Sequence, residues 1–137
     1  MKQLTLSFII LLFSVASPVT AGDKLSPTSI NGATTVDAVK AKALFDKGVI
    51  FVDVRKDKDW NAGRIPDAVH IELKKVLSEK TLSKEVKKDQ EVVIYCNGEK
   101  CMRSSKASAK AVSWGFSKVY YFRGGLPAWK AAGYPVE

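Results

Sequence analysis

Apolar residues cluster along this chain in short unalternated runs. VIFVDV occupies 49–54, VHI 69–71, VVIY 92–95, and VYYF 119–122 after Lys118. Four β-branched or aromatic residues in succession, with no polar position between them, fit a strand buried on both faces rather than one with a wet side. Between these runs the pattern changes period. Over 35–47, Val36, Val39 or Lys40, Ala43 and Leu44 stand near helical spacing, with Thr34 or Thr35 as cap and Gly48 as stop. From Arg103 or Ser104 onward, SSKASAKAVSW reads as a helix with a serine cap, small residues for close packing on a sheet, and Gly115 at its end. A last helix spans 127–132, with Pro127 in its first turn and Gly133 after its end. The stretch 55–68 is turn-rich with one helical turn near 59–62, and 74–88 is polar with one or two more. Strands alternating with helices predict an α/β fold of three layers, a mainly parallel sheet with helices on both faces.

The N-terminal pattern differs from all of this. Lys2 is followed by an apolar run over 4–15, then Ser17, Pro18 and the small-residue site Val19, Thr20, Ala21. This is the layout of a secretory signal peptide over 1–21, cleaved after Ala21. The run is shorter than the roughly 18 residues a spanning helix needs, so no membrane anchor is expected to remain after cleavage. The expected location is periplasmic or secreted. Residues 22–34, rich in Ser, Pro and Gly, read as a leader, and 35–137 as one domain large enough for a proper core.

Charge narrows the partners. The chain carries a formal +8, which becomes +7 when Lys2 leaves with the signal. Its lysines are scattered (Lys74, Lys75, Lys84, Lys87, Lys88) and lack the interleaved aromatics of a nucleic-acid groove, so nucleic acid is not an expected partner and an anionic small substrate is. Two cysteines and the single histidine, His70, fall short of a four-ligand metal set, and neither metal nor other cofactor is expected.

The candidate chemistry lies where VVIY ends in Cys96 and the chain continues as NGEKCMRSS. In parallel sheets, ligands sit beyond the carboxyl ends of strands, and Asp53, Cys96 and Arg123 all stand at such ends. Unpaired helix N–H groups together with Lys100 and Arg103 would favour the thiolate of Cys96, and the same loop could cradle an oxyanion. The alternative is an inert strand cysteine, since free cysteine is among the most buried residue types. Cys101, separated from Cys96 by the four residues Asn97, Gly98, Glu99 and Lys100, could close a small disulfide with it. Such a bond is a weak staple and a plausible redox couple; otherwise Cys101 is a small apolar loop residue.

With those residues in place, the chain resembles the rhodanese family of single-domain sulfurtransferases. The matching pieces are VDVR at 52–55, W-x-x-G-x-I-P-x-A-x-x-I at 60–71, VVIYC at 92–96, and RGGLPAWKAAGYPV at 123–136. The resemblance implies a five-stranded parallel sheet and assigns roles residue by residue. Cys96 is the nucleophile that holds sulfur as a persulfide. Backbone N–H groups of Asn97, Gly98, Glu99, Lys100, Cys101 and Met102 form the substrate loop, which Arg103 closes, and Ser104 opens the next helix. Asp53 and Arg55 support the loop, as do Arg123 and the turn at Gly124 and Gly125.

Two departures stand out. Six residues separate Cys96 from Arg103, two more than in the family's common short form and one more than in the enlarged-loop phosphatases of the same superfamily. Arg64 occupies a place where many relatives have His. The expected function is transfer of a sulfane sulfur from thiosulfate, a polysulfide or a persulfide to a thiophilic acceptor. Small anionic sulfur compounds would be its ligands, and a thiol or redox protein its acceptor. The alternatives are a thiol-disulfide redox protein using Cys96 and Cys101, a non-catalytic binding module, and a phosphatase or arsenate reductase with Glu99 as acid.

Overall fold

A computed structural model describes residues 24–137; the signal-peptide reading of 1–21 lies outside the described residues. Each apolar run becomes a strand. The sheet holds β1 (Ala33–Thr35), β2 (Ile50–Asp53), β3 (Val69–His70), β4 (Glu91–Tyr95) and β5 (Lys118–Phe122) in the order β1-β5-β4-β2-β3, with every pairing parallel. β4 is central, its Val93 level with Phe51 of β2 and Tyr120 of β5. The carboxyl ends of β2, β4 and β5 therefore converge at one edge, where Asp53, Tyr95 and Phe122 align.

Strand alternation divides the core into two layers. On one face Val52, Val54, Val92 and Ile94 pack with Leu82 of α3 (Glu79–Ser83) and with Ala107 and Ala111 of α4 (Arg103–Ser113). On the other, Phe51, Val93, Tyr95 and Phe122 pack with Ala41 and Leu44 of α1 (Ala38–Asp46) and with Leu126 and Trp129 of α5 (Gly125–Ala131). Small residues on α4 let its backbone lie close to the strands. The opposite layer is aromatic: Trp129 meets Phe45, Phe51 and Tyr134 edge-on, with ring centroids 5.0–5.9 Å apart. The remaining helix, α2 (Asp57–Ala62), buries no residue and lies just after the β2 end. None of the described helices is long and apolar enough to cross a membrane.

Three boundaries differ from the sequence reading. Thr34 and Thr35 do not cap a helix; they extend β1 along β5, and the cap is Asp37, whose carboxylate accepts the Lys40 N–H at 2.8 Å. A carboxylate whose own backbone is extended, three residues before the amide it serves, meets the cap geometry that two strand-paired threonines cannot. No serine caps α4: Met102 occupies that position without a side-chain bond, and Ser105 Oγ donates back to the Met102 carbonyl at 2.8 Å. The last helix starts at Gly125, two residues before the expected 127, and keeps Pro127 in its first turn.

Candidate active site

Cys96 is the first residue past β4, and the strand alternation turns its side chain to the α4 face, where it is 1% exposed. Its backbone is held from the opposite side. The Leu126 N–H donates to the Cys96 carbonyl at 3.0 Å, and a Cβ added at Gly125 would stand 2.2 Å from that oxygen. Gly125 also has φ +56°, a backbone region that side chains disfavour. A glycine there is what allows the start of α5 to sit directly on the cysteine.

Beyond Cys96 the chain makes a loop over 97–102. Gly98 turns it with φ +111°, and the Cys101 N–H donates to the Gly98 carbonyl at 3.0 Å. Cys101 returns to Cys96, and the two form a disulfide with 6.5 Å between their Cα atoms. The structure thus holds the oxidised pair. Cys96 is buried in it and Cys101 half-buried.

Asn97 fastens the near end of the loop. Its side-chain Oδ1 accepts from Arg55 Nη1 at 3.2 Å, and its Nδ2 donates to Asp59 Oδ2 at 3.0 Å. Arg55 is itself buried and locked to Asp53 through Nε and Nη2 at 2.7–3.0 Å, with a further bond from Nη2 to the Gly63 carbonyl at 2.6 Å. Burial alone would lower the Arg55 pKa, but the Asp53 carboxylate overcomes it and raises the value. Tyr95, beneath this pair, accepts the Ile65 N–H at 3.1 Å; burial first, then Asp53, pushes its phenol well above the ordinary value, so it remains protonated. His70 Nε2 lies 2.8 Å from the Arg55 carbonyl, an acceptor, so this nitrogen carries a proton and donates. Its ring stacks on Trp60 at 4.7 Å between centroids.

Arg103 fastens the far end. Its Nη1 donates to Glu72 at 2.5 Å and to the Val54 carbonyl at 3.2 Å, tying the first residue of α4 to the chain leaving β2 and β3. Burial would raise the Glu72 carboxyl, but Arg103 and the Lys75 and Lys74 amides hold it below its ordinary value. Arg123, at the end of β5, reaches the Glu99 carboxylate at 3.3 Å. Ser104 is 1% exposed, and its Oγ has no hydrogen-bond partner among the described residues.

Two open clefts adjoin the loop. One of about 470 Å³ is lined by Glu99 of the loop and by Arg123 and Gly124 after β5. The other, of about 360 Å³, is lined by Arg103 of α4 and edged by Lys56, Lys58, Lys74 and Lys75. An anion approaching the second meets predominantly positive charge, although Asp57 and Glu72 also line it.

The structure therefore gathers Asp53, Arg55, residues 97–104, Arg123 and Gly124 at one end of the sheet. Two residues that carry much of this geometry were not singled out from sequence. Glu72 sits before a lysine pair with no motif around it, and Ser26, whose N–H and Oγ both donate to the Glu99 carbonyl of the loop, belongs to the segment read as a leader. Their partners are distant in the chain, and local pattern carries no trace of such contacts.

Comparison with known proteins agrees with this architecture. The model of the rhodanese-like domain matches residues 37–132. A thiosulfate sulfurtransferase GlpE of Pseudomonas syringae is 33% identical over 99 residues, which is 72% of this chain and 87% of that protein. A sulfurtransferase of Allochromatium vinosum is 34% identical over 88 residues, 64% of this chain and 78% of its own length. A tRNA uridine(34) hydroxylase of Pectobacterium carotovorum is 28% identical over 119 residues, 82% of this chain but 33% of that protein. Among solved structures, a Bacillus halodurans protein superposes with a TM-score of 0.68 at 30% identity, covering 77% of each chain. The parallel five-stranded sheet, the cysteine at the end of its central strand and the match over 37–132 together place this chain in the rhodanese-like domain family.

Proposed function

We propose that this protein is an exported sulfurtransferase that carries a sulfane sulfur on Cys96. The observation that carries the reading is the placement of Cys96: a thiol at the carboxyl end of the central strand, pinned by α5 and followed by a loop anchored at both ends. Relatives that bear the names thiosulfate sulfurtransferase and sulfurtransferase match most of the domain and support it. The tRNA hydroxylases share the domain over about a third of their length, so their activity gives this reading no competitor of equal weight.

The steps begin with reduction of the pair. A dithiol reductant attacks the Cys96–Cys101 disulfide, passes through a mixed disulfide and leaves both cysteines as thiols while it is itself oxidised. The Cys96 thiolate then attacks the outer sulfur of thiosulfate. The sulfur–sulfur bond of the donor breaks, sulfite departs with the electron pair, and Cys96 holds a persulfide. The lysine-edged cleft beside Arg103 suits the anionic donor and leaving group. An acceptor thiolate or cyanide takes the terminal sulfur and returns the Cys96 thiolate, a two-stage scheme of the covalent kind. Because the nucleophile is a thiolate, no general base is required, and His70, donating to the Arg55 carbonyl, is not assigned one.

The disulfide also favours a second reading, in which Cys101 attacks the persulfide, releases sulfide and re-forms the bond with Cys96. Intact mass distinguishes the two. Reduced wild type, Cys96→Ser and Cys101→Ser are each incubated with thiosulfate or polysulfide after the reductant is removed. Sulfur transfer predicts a gain of one sulfur, about 32 Da, in wild type and Cys101→Ser and none in Cys96→Ser. Loss of two hydrogens in wild type, with an adduct confined to Cys101→Ser, makes the pair a redox couple. No adduct in any form makes the domain a binding module. Export is checked separately, by an N-terminus at Gly22 in protein recovered outside the cytoplasm.

A further inference from the structure

Ser26 is 3% exposed, although Lys24, Leu25, Pro27 and Thr28 around it are all exposed. Its burial is explained by bonds at every polar group it has. Both its N–H and its Oγ donate to the Glu99 carbonyl at 2.7 Å. Its own carbonyl accepts from Arg123 Nε at 3.3 Å and Nη2 at 3.0 Å, and the same guanidinium reaches the Glu99 carboxylate through Nη1. The next two residues are tied to the sheet: Tyr121 donates to the Pro27 carbonyl at 2.9 Å and Thr35 to the Thr28 carbonyl at 2.8 Å. Residues 26–28 thus form a strap across the ends of β1 and β5, with Ser26 gripping the middle of the active-site loop.

We propose that Ser26 is a positioning residue for that loop. Asn97 is held by Arg55 and Asp59, and Arg103 by Glu72; Glu99, between them, is held from outside by the strap. A peptide unit is planar and trans, so two donors fixed on the Glu99 carbonyl also fix the opposite direction of the following N–H. The strap thereby sets the orientation of a peptide at the crown of the cradle. It does so with two hydrogen bonds onto one carbonyl, a geometry that a free-standing loop would have to find at an entropic cost on each binding event. The kinetic consequence rests on the sulfurtransferase reading above; the structural one does not.

The test compares wild type, Ser26→Ala and Ser26→Thr by hydrogen exchange and by thiosulfate kinetics. Ser26→Ala keeps the N–H bond and loses the hydroxyl bond, which corresponds to about a five-fold effect. The expected result is faster exchange confined to residues 97–101, a KM for thiosulfate raised about five-fold, and kcat within two-fold, with Ser26→Thr restoring both values. Wild-type exchange in the loop of Ser26→Ala overturns the proposal, and so does faster exchange spread evenly over the sheet. If wild type takes up no sulfur, the sulfurtransferase reading falls alone, and loop exchange still decides the role of Ser26.

Discussion

A methyl group at position 125 would meet the Cys96 carbonyl oxygen at 2.2 Å and the Gly98 nitrogen at 3.0 Å, both backbone atoms that cannot swing aside. Gly125→Ala therefore has to move the start of α5 or Cys96 itself, and must also hold φ +56° with a side chain. Its expected cost is about 3 kcal/mol, read from urea unfolding, together with loss of persulfide formation. Asp53→Asn acts by charge. It leaves the Arg55 guanidinium, 3% exposed, without its carboxylate, which costs about 3 kcal/mol, and it slackens the Arg55 bond to Asn97. The same unfolding titration measures it; a loss below about 1 kcal/mol would mean that Asn97 and the Gly63 carbonyl suffice for Arg55. These residues were legible in the chain because each belongs to a short local pattern, the aspartate-arginine pair after a strand and the glycine pair before a helix. Ser26 and Glu72 were not, since what defines them is a partner 73 residues away in one case and 31 in the other.

Between elements, the contact that closes the loop is Arg103 of α4 on Glu72, in the segment after β3. The Glu72 carboxyl is lowered from 4.5 because Arg103 and two backbone amides outweigh its burial. A group whose folded pKa is depressed adds stability above its unfolded value, and that stability is lost as pH falls through the folded one. Glu72→Gln is therefore expected to be less stable than wild type at pH 7, with the gap narrowing as the pH falls below the ordinary glutamate value, where the wild-type residue is itself protonated. Denaturant midpoints at neutral and acid pH check this, and a gap independent of pH would assign the loss to packing. The strands and α4 were legible as elements because unbroken apolar runs and small-residue periodicity leave strong signals. β1 was not: three residues on a sheet edge, with only Ala33 half-buried, leave a pattern indistinguishable from a helix entrance.

At the scale of the whole molecule, two cysteines five positions apart in sequence close a loop too short to hold a domain together. By chain entropy the closure is worth about 2 kcal/mol, at the low end for disulfides, whereas the sheet and its two apolar layers are built without it. Function stands in the opposite relation to that bond. Cys96 cannot attack a donor while its sulfur is bound to Cys101, so reduction should change activity from none to full while changing stability little. The expected outcome is that the oxidised protein takes up no sulfur, that a dithiol restores uptake, and that the unfolding free energy moves by no more than about 2 kcal/mol between the two states. Cys101→Ser should be active without reductant and match the stability of the reduced form. Sulfur uptake and urea unfolding on the same samples give both quantities. Should reduction unfold the domain, the bond is a staple and its redox role falls; should oxidised protein transfer sulfur at the reduced rate, Cys96 is not the carrier. If Cys96 is the sulfur carrier proposed above, a disulfide of this kind would shield its thiol from irreversible oxidation until a dithiol opened it, which is what the proposed export to an oxidising compartment would require.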